Sequence, residues 1–112
     1  MPYLHVRTNT IVPDHARFLS VCSSTVAQAL GKPESYVMVE ISDNRPMMFA
    51  GTEAPLAFLE MKSLGLTSDQ TAAMSATLCS LLQQELAINA NRIYIEFAAP
   101  ERAMFGWNKG TF

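Results

Sequence analysis

Charge is scarce in this sequence: Lys, Arg, Asp and Glu make up 16% of 112 residues, against about 25% in an ordinary soluble domain. The charges nearly cancel, 8 Lys plus Arg against 10 Asp plus Glu for a net charge of -2, and the isoelectric point is about 5.6. No run of Lys or Arg occurs. The clustered cations that neutralise phosphates in a nucleic-acid groove are therefore missing, and nucleic acid is excluded as the expected partner. Hydrophobic residues reach 49%, and seven residues are Met. So apolar a chain with so little charge is expected to cover part of its surface with further copies of itself.

Cysteine is nearly absent as well. Cys22 and Cys79 stand 57 positions apart with no CxxC spacing, which excludes a thioredoxin-like redox pair and a zinc knuckle and leaves two buried thiols as the expectation. His5 and His15 are not at ligand spacing with either cysteine, so no metal is expected. Long apolar runs are missing too. The charge-free window from Gln70 to Gln84 contains Gln, Ser and Thr, and it falls short of the roughly 20 residues of a membrane span. The opening Met1-Pro2-Tyr3-Leu4-His5 has no basic stretch leading into an apolar one, which predicts no signal peptide and a cytoplasmic location. A chain of this length is expected to form one domain, residues 1–112, with a core that needs neither metal nor disulfide.

What is present is a pattern that occurs twice. From Asp14 to Leu30 the apolar residues Phe18, Cys22, Val26 and Leu30 recur at helical spacing, and Gly31 and Pro33 end the stretch. A second helix is predicted to open at Thr67-Ser68-Asp69-Gln70 and to carry Met74, Leu78, Leu81, Leu82 and Leu86 on one face. Phe18/Met74, Cys22/Leu78, Val26/Leu82 and Leu30/Leu86 are each 56 residues apart. Strand-like segments follow the same shift: Tyr36–Ile41 corresponds to Arg92–Phe97, and Pro2–Thr8 to Phe58–Leu64. The internal repeat thus covers roughly 2–43 and 58–98, followed by a tail over 99–112.

Each half reads strand, helix, strand, and a helical crossover makes its two strands parallel. The fold class is therefore α+β, a two-layer sandwich. Two pseudo-symmetric βαβ units form a four-stranded mixed sheet with both helices on one face. Leu4, Val6, Val37, Val39, Ile93 and Ile95 are assigned to the helix side. Tyr3, His5, Arg7, Tyr36, Met38, Glu40, Tyr94 and Glu96 fall on the other side. That second face is too aromatic to be simply solvated and too charged for a monomer core, so it is read as a subunit interface in which Arg7 and the carboxylates find partners. The apolar run Met47–Thr52 reads as a short edge strand, and the tail, with Phe105, Trp107 and Phe112 around two glycines, is expected to dock.

Pro2 directly after the initiator Met hints at chemistry. Removal of Met1 yields a secondary amine, and burial or a neighbouring cation lowers the pKa of such a terminus and gives a neutral base. Taken alone, Pro2 equally marks an efficiently processed N-terminus. Further anchors occur in order along the chain: Met1-Pro2-Tyr3-Leu4, Gly31-Lys32-Pro33 with Tyr36, Phe49-Ala50-Gly51, Ser63-Leu64-Gly65, Arg92-Ile93-Tyr94-Ile95, Gly106-Trp107-Asn108 and Thr111-Phe112. With them the sequence resembles the macrophage migration inhibitory factor family.

That resemblance implies the tautomerase-superfamily fold and a homotrimer whose sheets form a central barrel, with an active site at each subunit boundary. It implies a cofactor-free keto–enol tautomerase, an isomerase for a small α-keto acid such as phenylpyruvate or for an aromatic enol of the dopachrome type. Pro2 would be the catalytic base, and Lys32 would pair with the substrate carboxylate. Leu64 would offer its backbone N–H, a neighbouring subunit would supply Tyr94, and Phe105, Trp107 and Phe112 would form an apolar wall. The resemblance also carries an alternative, a cytokine-like binding trimer with weak tautomerase activity, and secretion by a non-classical route.

The sequence departs from the family at three places. Glu96 stands near the substrate position where the vertebrate cytokine has asparagine, and there it would repel an anionic substrate or raise the Pro2 pKa. Phe105 replaces a smaller aliphatic residue. The family's CxxC falls on Leu56-Ala57-Phe58-Leu59, so thiol oxidoreductase chemistry has no basis here.

Overall fold

In the computed structural model, which describes residues 1–112, the two helical periodicities become two helices of equal length. Helix α1 spans His15–Leu30 and α2 spans Thr71–Leu86. Asp14 caps α1 because its extended backbone (φ -136°) lets the carboxylate accept from the Arg17 N–H. At the other end Gly31, at φ 63°, turns the chain left-handed. The Gly31 N–H then reaches the Gln28 carbonyl at 3.3 Å and the Lys32 N–H reaches Ala27 at 3.0 Å, the bond pair of a Schellman cap. Helix α2 begins later than its capping residues suggest. Gln70 Oε1 accepts from the Thr67 N–H at 2.9 Å and Thr71 Oγ1 donates to the Ser68 carbonyl at 2.8 Å, so Thr67–Gln70 form a turn ahead of the helix.

The strands are β1 (Tyr3–Thr8), β2 (Met38–Ser42), β3 (Ala57–Lys62) and β4 (Ile93–Ala98), in the order β2-β1-β3-β4. β1 runs parallel to β2 and β3 to β4, while β1 and β3 meet antiparallel, so the sheet is mixed. Leu4 and Val6 of β1 and Leu59 and Met61 of β3 are fully buried against Phe18, Cys22 and Val26 of α1 and Met74, Leu78 and Leu82 of α2. Both helices therefore cover one face, as the apolar alternation requires.

Four local expectations need correction. Tyr36 and Val37 do not belong to a strand: Glu34–Tyr36 is a 3-10 turn, and β2 starts at Met38. The repeat interval is not uniform. Leu4 pairs with Val39 and Leu59 with Ile95. The second members of these pairs are 56 residues apart and the first members 55. A strict 56-residue shift would set Leu4 against Glu60, on the opposite face of the sheet. Met47–Thr52 is a tight turn rather than an edge strand, with Ala50 and Gly51 at φ 52° and 76° and reciprocal 3.0 Å backbone bonds between Phe49 and Thr52. Of the two thiols, Cys22 is buried, which pushes its pKa up to about 12, while Cys79 is only half-buried.

The open face of the sheet carries one rung across all four strands: Glu40, His5, Glu60 and Glu96. Arg7 finds its partner within the chain, with Nη2 at 2.8 Å from Glu60 Oε1, and needs no second subunit for that. Tyr3 donates its hydroxyl to Glu40 at 2.6 Å. Burial first, and then the bond to that carboxylate, push its pKa up to about 12. Beyond β4, the tail forms a hairpin of β5 (Gly106–Trp107) and β6 (Gly110–Thr111). Its two turn residues, Asn108 and Lys109, both take positive φ, as a tight hairpin with the sheet's twist demands. No helix is long and apolar enough to cross a membrane.

Candidate active site

Pro2 immediately precedes β1 and is fully buried. Its carbonyl accepts from the Met38 N–H at 2.9 Å, which fixes it beside the start of β2. Around it lies a cavity of about 320 Å³. Met1, Tyr36, Val37 and Met38 line one part and Lys62 another, and the tail hairpin closes it with Phe105, Trp107 and Phe112. Both the volume and the apolar lining suit a small aromatic molecule.

The wall holds together through its own rings. Trp107 and Phe112 stack with centroids 5.4 Å apart and planes 12° apart. Phe105 meets Phe112 edge-on at 5.7 Å, and Tyr36 meets Trp107 edge-on at 6.0 Å. The hairpin is secured by the Phe112 N–H on the Phe105 carbonyl at 3.1 Å and by Arg102 Nε on Phe112 O at 3.0 Å. Trp107 nonetheless stays 56% exposed, so one face of the wall remains open to a ligand.

Two positive charges converge here. The Met1 ammonium donates to the Tyr36 carbonyl at 2.6 Å. Its pKa is lowered, first by desolvation and then by the charge of Lys32. Burial likewise lowers the pKa of Lys32. Its Nζ donates to Ser63 Oγ at 2.8 Å and to the Leu64 carbonyl at 2.6 Å. The Schellman cap at Gly31 sets this reach, since it turns the chain so that Lys32 leaves α1 toward the end of β3.

The candidate residues thus fall into two groups. Pro2, Phe105, Trp107 and Phe112 share the cavity, and Lys32 and Leu64 join each other next to it through the lysine's bond to the Leu64 carbonyl. Tyr94 and Glu96 lie outside it, exposed on β4. Tyr94 packs on Phe49 with centroids 4.7 Å apart and lines a separate apolar cavity of about 340 Å³ with Met47, Met48 and Phe58. The sequence reading missed Tyr36 and Lys62 as lining residues. Pro33 just ahead of Tyr36 was the available signal for a turn there, whereas the position of Lys62 depends on its pairing with Tyr3, which no local pattern reveals. No three His, Cys, Asp or Glu side chains come together as metal ligands.

The cavity thus brings the buried chain start together with an aromatic wall, with the Lys32 cation close enough to act on the terminus. Comparison with known proteins places the same frame in named relatives. The chain is 40% identical to a macrophage migration inhibitory factor homolog of Brugia malayi over 100% of its length and 99% of that protein. It is 37% identical to macrophage migration inhibitory factor of Rattus norvegicus over the same shares. The crystal structure of the homologue from Prochlorococcus marinus superposes with a TM-score of 0.93 at 37% identity, covering 98% of each chain. That from Trichinella spiralis gives 0.92 at 35%, covering 98% of this chain and 99% of the other. The sequence pattern of the family described as macrophage migration inhibitory factor (MIF) matches residues 1–112 from end to end. On this evidence the chain belongs to the macrophage migration inhibitory factor family and carries the tautomerase-superfamily fold.

Proposed function

We propose that the protein is a keto–enol tautomerase for small α-keto acids or aromatic enols of the phenylpyruvate or dopachrome type, with Pro2 as its base once Met1 has been removed. The observation that carries this reading is the burial of Pro2 in one cavity with Phe105, Trp107 and Phe112. With Met1 in place the Pro2 nitrogen is an amide and has no basic lone pair. After cleavage it becomes a secondary amine in a more buried position than the Met1 ammonium, whose pKa desolvation and Lys32 already lower. The same two causes then act on Pro2 and lower its pKa, which favours the neutral base.

In the proposed reaction the Pro2 nitrogen takes a proton from the carbon next to the substrate carbonyl, the C–H electron pair becomes the C=C bond of the enolate, and the protonated Pro2 returns that proton to the carbonyl oxygen, giving the enol and the neutral base again. The reverse sequence gives the ketone. Lys32 pairs with the substrate carboxylate through the N–H that its bonds to Ser63 and Leu64 leave over, and the backbone of Leu64 adds a second contact. The stacked rings of Trp107 and Phe112, with Phe105, hold an aryl group and exclude water. Tyr94 and Glu96 act from a neighbouring protomer of a homotrimer, which accounts for their place away from Pro2 within one chain.

The test is a phenylpyruvate and dopachrome methyl ester assay on protein shown by mass spectrometry to lack Met1, beside Pro2→Gly. Loss of a positioned base is expected to lower kcat/KM about 100-fold or more. Equal rates for the two proteins remove Pro2 from the mechanism.

A further inference from the structure

Lys62 adds a further cation to the cavity, and its own contacts, an ion pair with Glu60 and a cation–π contact with Tyr3, are both long. It ends β3, pairs in register with Tyr3 and lines the same cavity as Pro2 and the aromatic wall. Its side chain is 44% exposed, and Nζ stands 5.9 Å from the centroid of the Tyr3 ring. The nearest carboxylate oxygen, Glu60 Oε2, is 3.7 Å away, beyond hydrogen-bond reach. The other oxygen of that carboxylate is already held by Arg7 at 2.8 Å. The Tyr3 hydroxyl is engaged as well, on Glu40 at 2.6 Å. Lys32 is the opposite case, with two of its N–H groups donated inside the chain. An ammonium held by one long ion pair to a carboxylate shared with Arg7, at the rim of an otherwise apolar cavity, is a recognition element for an anion.

We propose that Lys62 is a specificity-determining residue that favours substrates with a second acidic group, such as dicarboxylic α-keto acids, over monoanionic ones. The proposal rests on the tautomerase reading above. In that reading the α-keto acid commits its own carboxylate to Lys32 and its apolar part to the wall of Phe105, Trp107 and Phe112. A plain arylpyruvate then leaves Lys62 facing water. A second carboxylate at the rim replaces that water, and its competitor, Glu60, is the weaker one because Arg7 already occupies it.

The experiment compares kcat/KM for phenylpyruvate and for its meta- and para-carboxyphenyl analogues, using protein without Met1 in the natural sequence, Lys62→Gln and Lys62→Arg. For an exposed ion pair, the preference for the carboxylated substrate is expected to fall about three- to fivefold in Lys62→Gln. The loss should sit in KM, and Lys62→Arg should restore it. Added salt should erode the preference in the natural sequence and leave Lys62→Gln unmoved. A preference that is the same in both proteins, or a loss that Lys62→Arg does not restore, overturns the role of Lys62. Pro2→Gly assayed in parallel separates the two ideas. No turnover in the natural sequence overturns the tautomerase reading and unchanged turnover in Pro2→Gly removes Pro2 as its base, whereas normal dependence on Pro2 with an unmoved preference overturns the specificity role alone.

Discussion

Gly31 shows how a single backbone angle reaches the candidate site. At φ 63° it lies in the left-handed region, and a Cβ built there meets nothing within 4 Å, so a side chain would cost backbone strain rather than a clash. The turn it makes carries Lys32 toward Ser63 and Leu64. Gly31→Ala is expected to destabilise the protein by about 1 kcal/mol, a fall of about 4 °C in Tm by calorimetry. An unchanged Tm would contradict the assigned strain. Other residues at this scale were partly legible in the sequence. Pro2 stood out by position and type, and Phe105, Trp107 and Phe112 through the family resemblance; the four share one cavity. Tyr36 was misread because Val37, Val39 and Ile41 continue the alternation of a strand backwards through it, while the 3-10 turn after Pro33 actually sets its direction.

Among elements, the junction between α1 and β2 has an electrostatic tie. Asp43, just beyond β2, accepts from His15 Nε2 at 2.9 Å and from the Val12 N–H at 2.8 Å. The His15 bond first, and then the backbone bond, hold the carboxyl below its ordinary pKa of 3.8. A group depressed in the folded state contributes stability that is fully present above 3.8 and is lost as the pH falls through the folded value. The natural protein should therefore lose Tm more steeply below about pH 4 than Asp43→Asn does, and that variant should be the less stable of the two near neutrality. Parallel curves down to pH 2 would remove this tie. The helices were legible because their apolar faces keep one period over four turns. The strand β3 was less so, since Phe58, Leu59 and Met61 place apolar residues on both faces, and only pairing with β1 decides which parity is buried.

The whole molecule is two βαβ halves joined along β1 and β3, and this arrangement separates the candidate residues. Pro2 lies just before the start of β1, while Tyr94 shares a rung with Phe58 and Arg7. From Tyr3 to Arg7 the strand rises about 13 Å. In the proposed trimer Tyr94 acts on a substrate at Pro2 from another protomer, and the apolar cavity beside it, with the exposed Met48 and Met38, offers surface for such contact. Sedimentation at micromolar concentration should give a single species of three times 12.3 kDa. A stable monomer would contradict the shared site. The doubling itself was legible because repeated apolar spacing survives in sequence, whereas the cavity was not, because it is assembled from the chain start, β3 and the tail through contacts distant along the chain.

The proposed mechanism turns on the Pro2 nitrogen, and its titration in the Met1-free protein tests that mechanism most directly. With proline labelled by nitrogen-15, the NMR midpoint is expected below the roughly 7.7–8.0 of a free α-amino group, matched by the acid limb of kcat/KM. A nitrogen that stays fully protonated at pH 7 and above, or a midpoint unrelated to the rate profile, would contradict it.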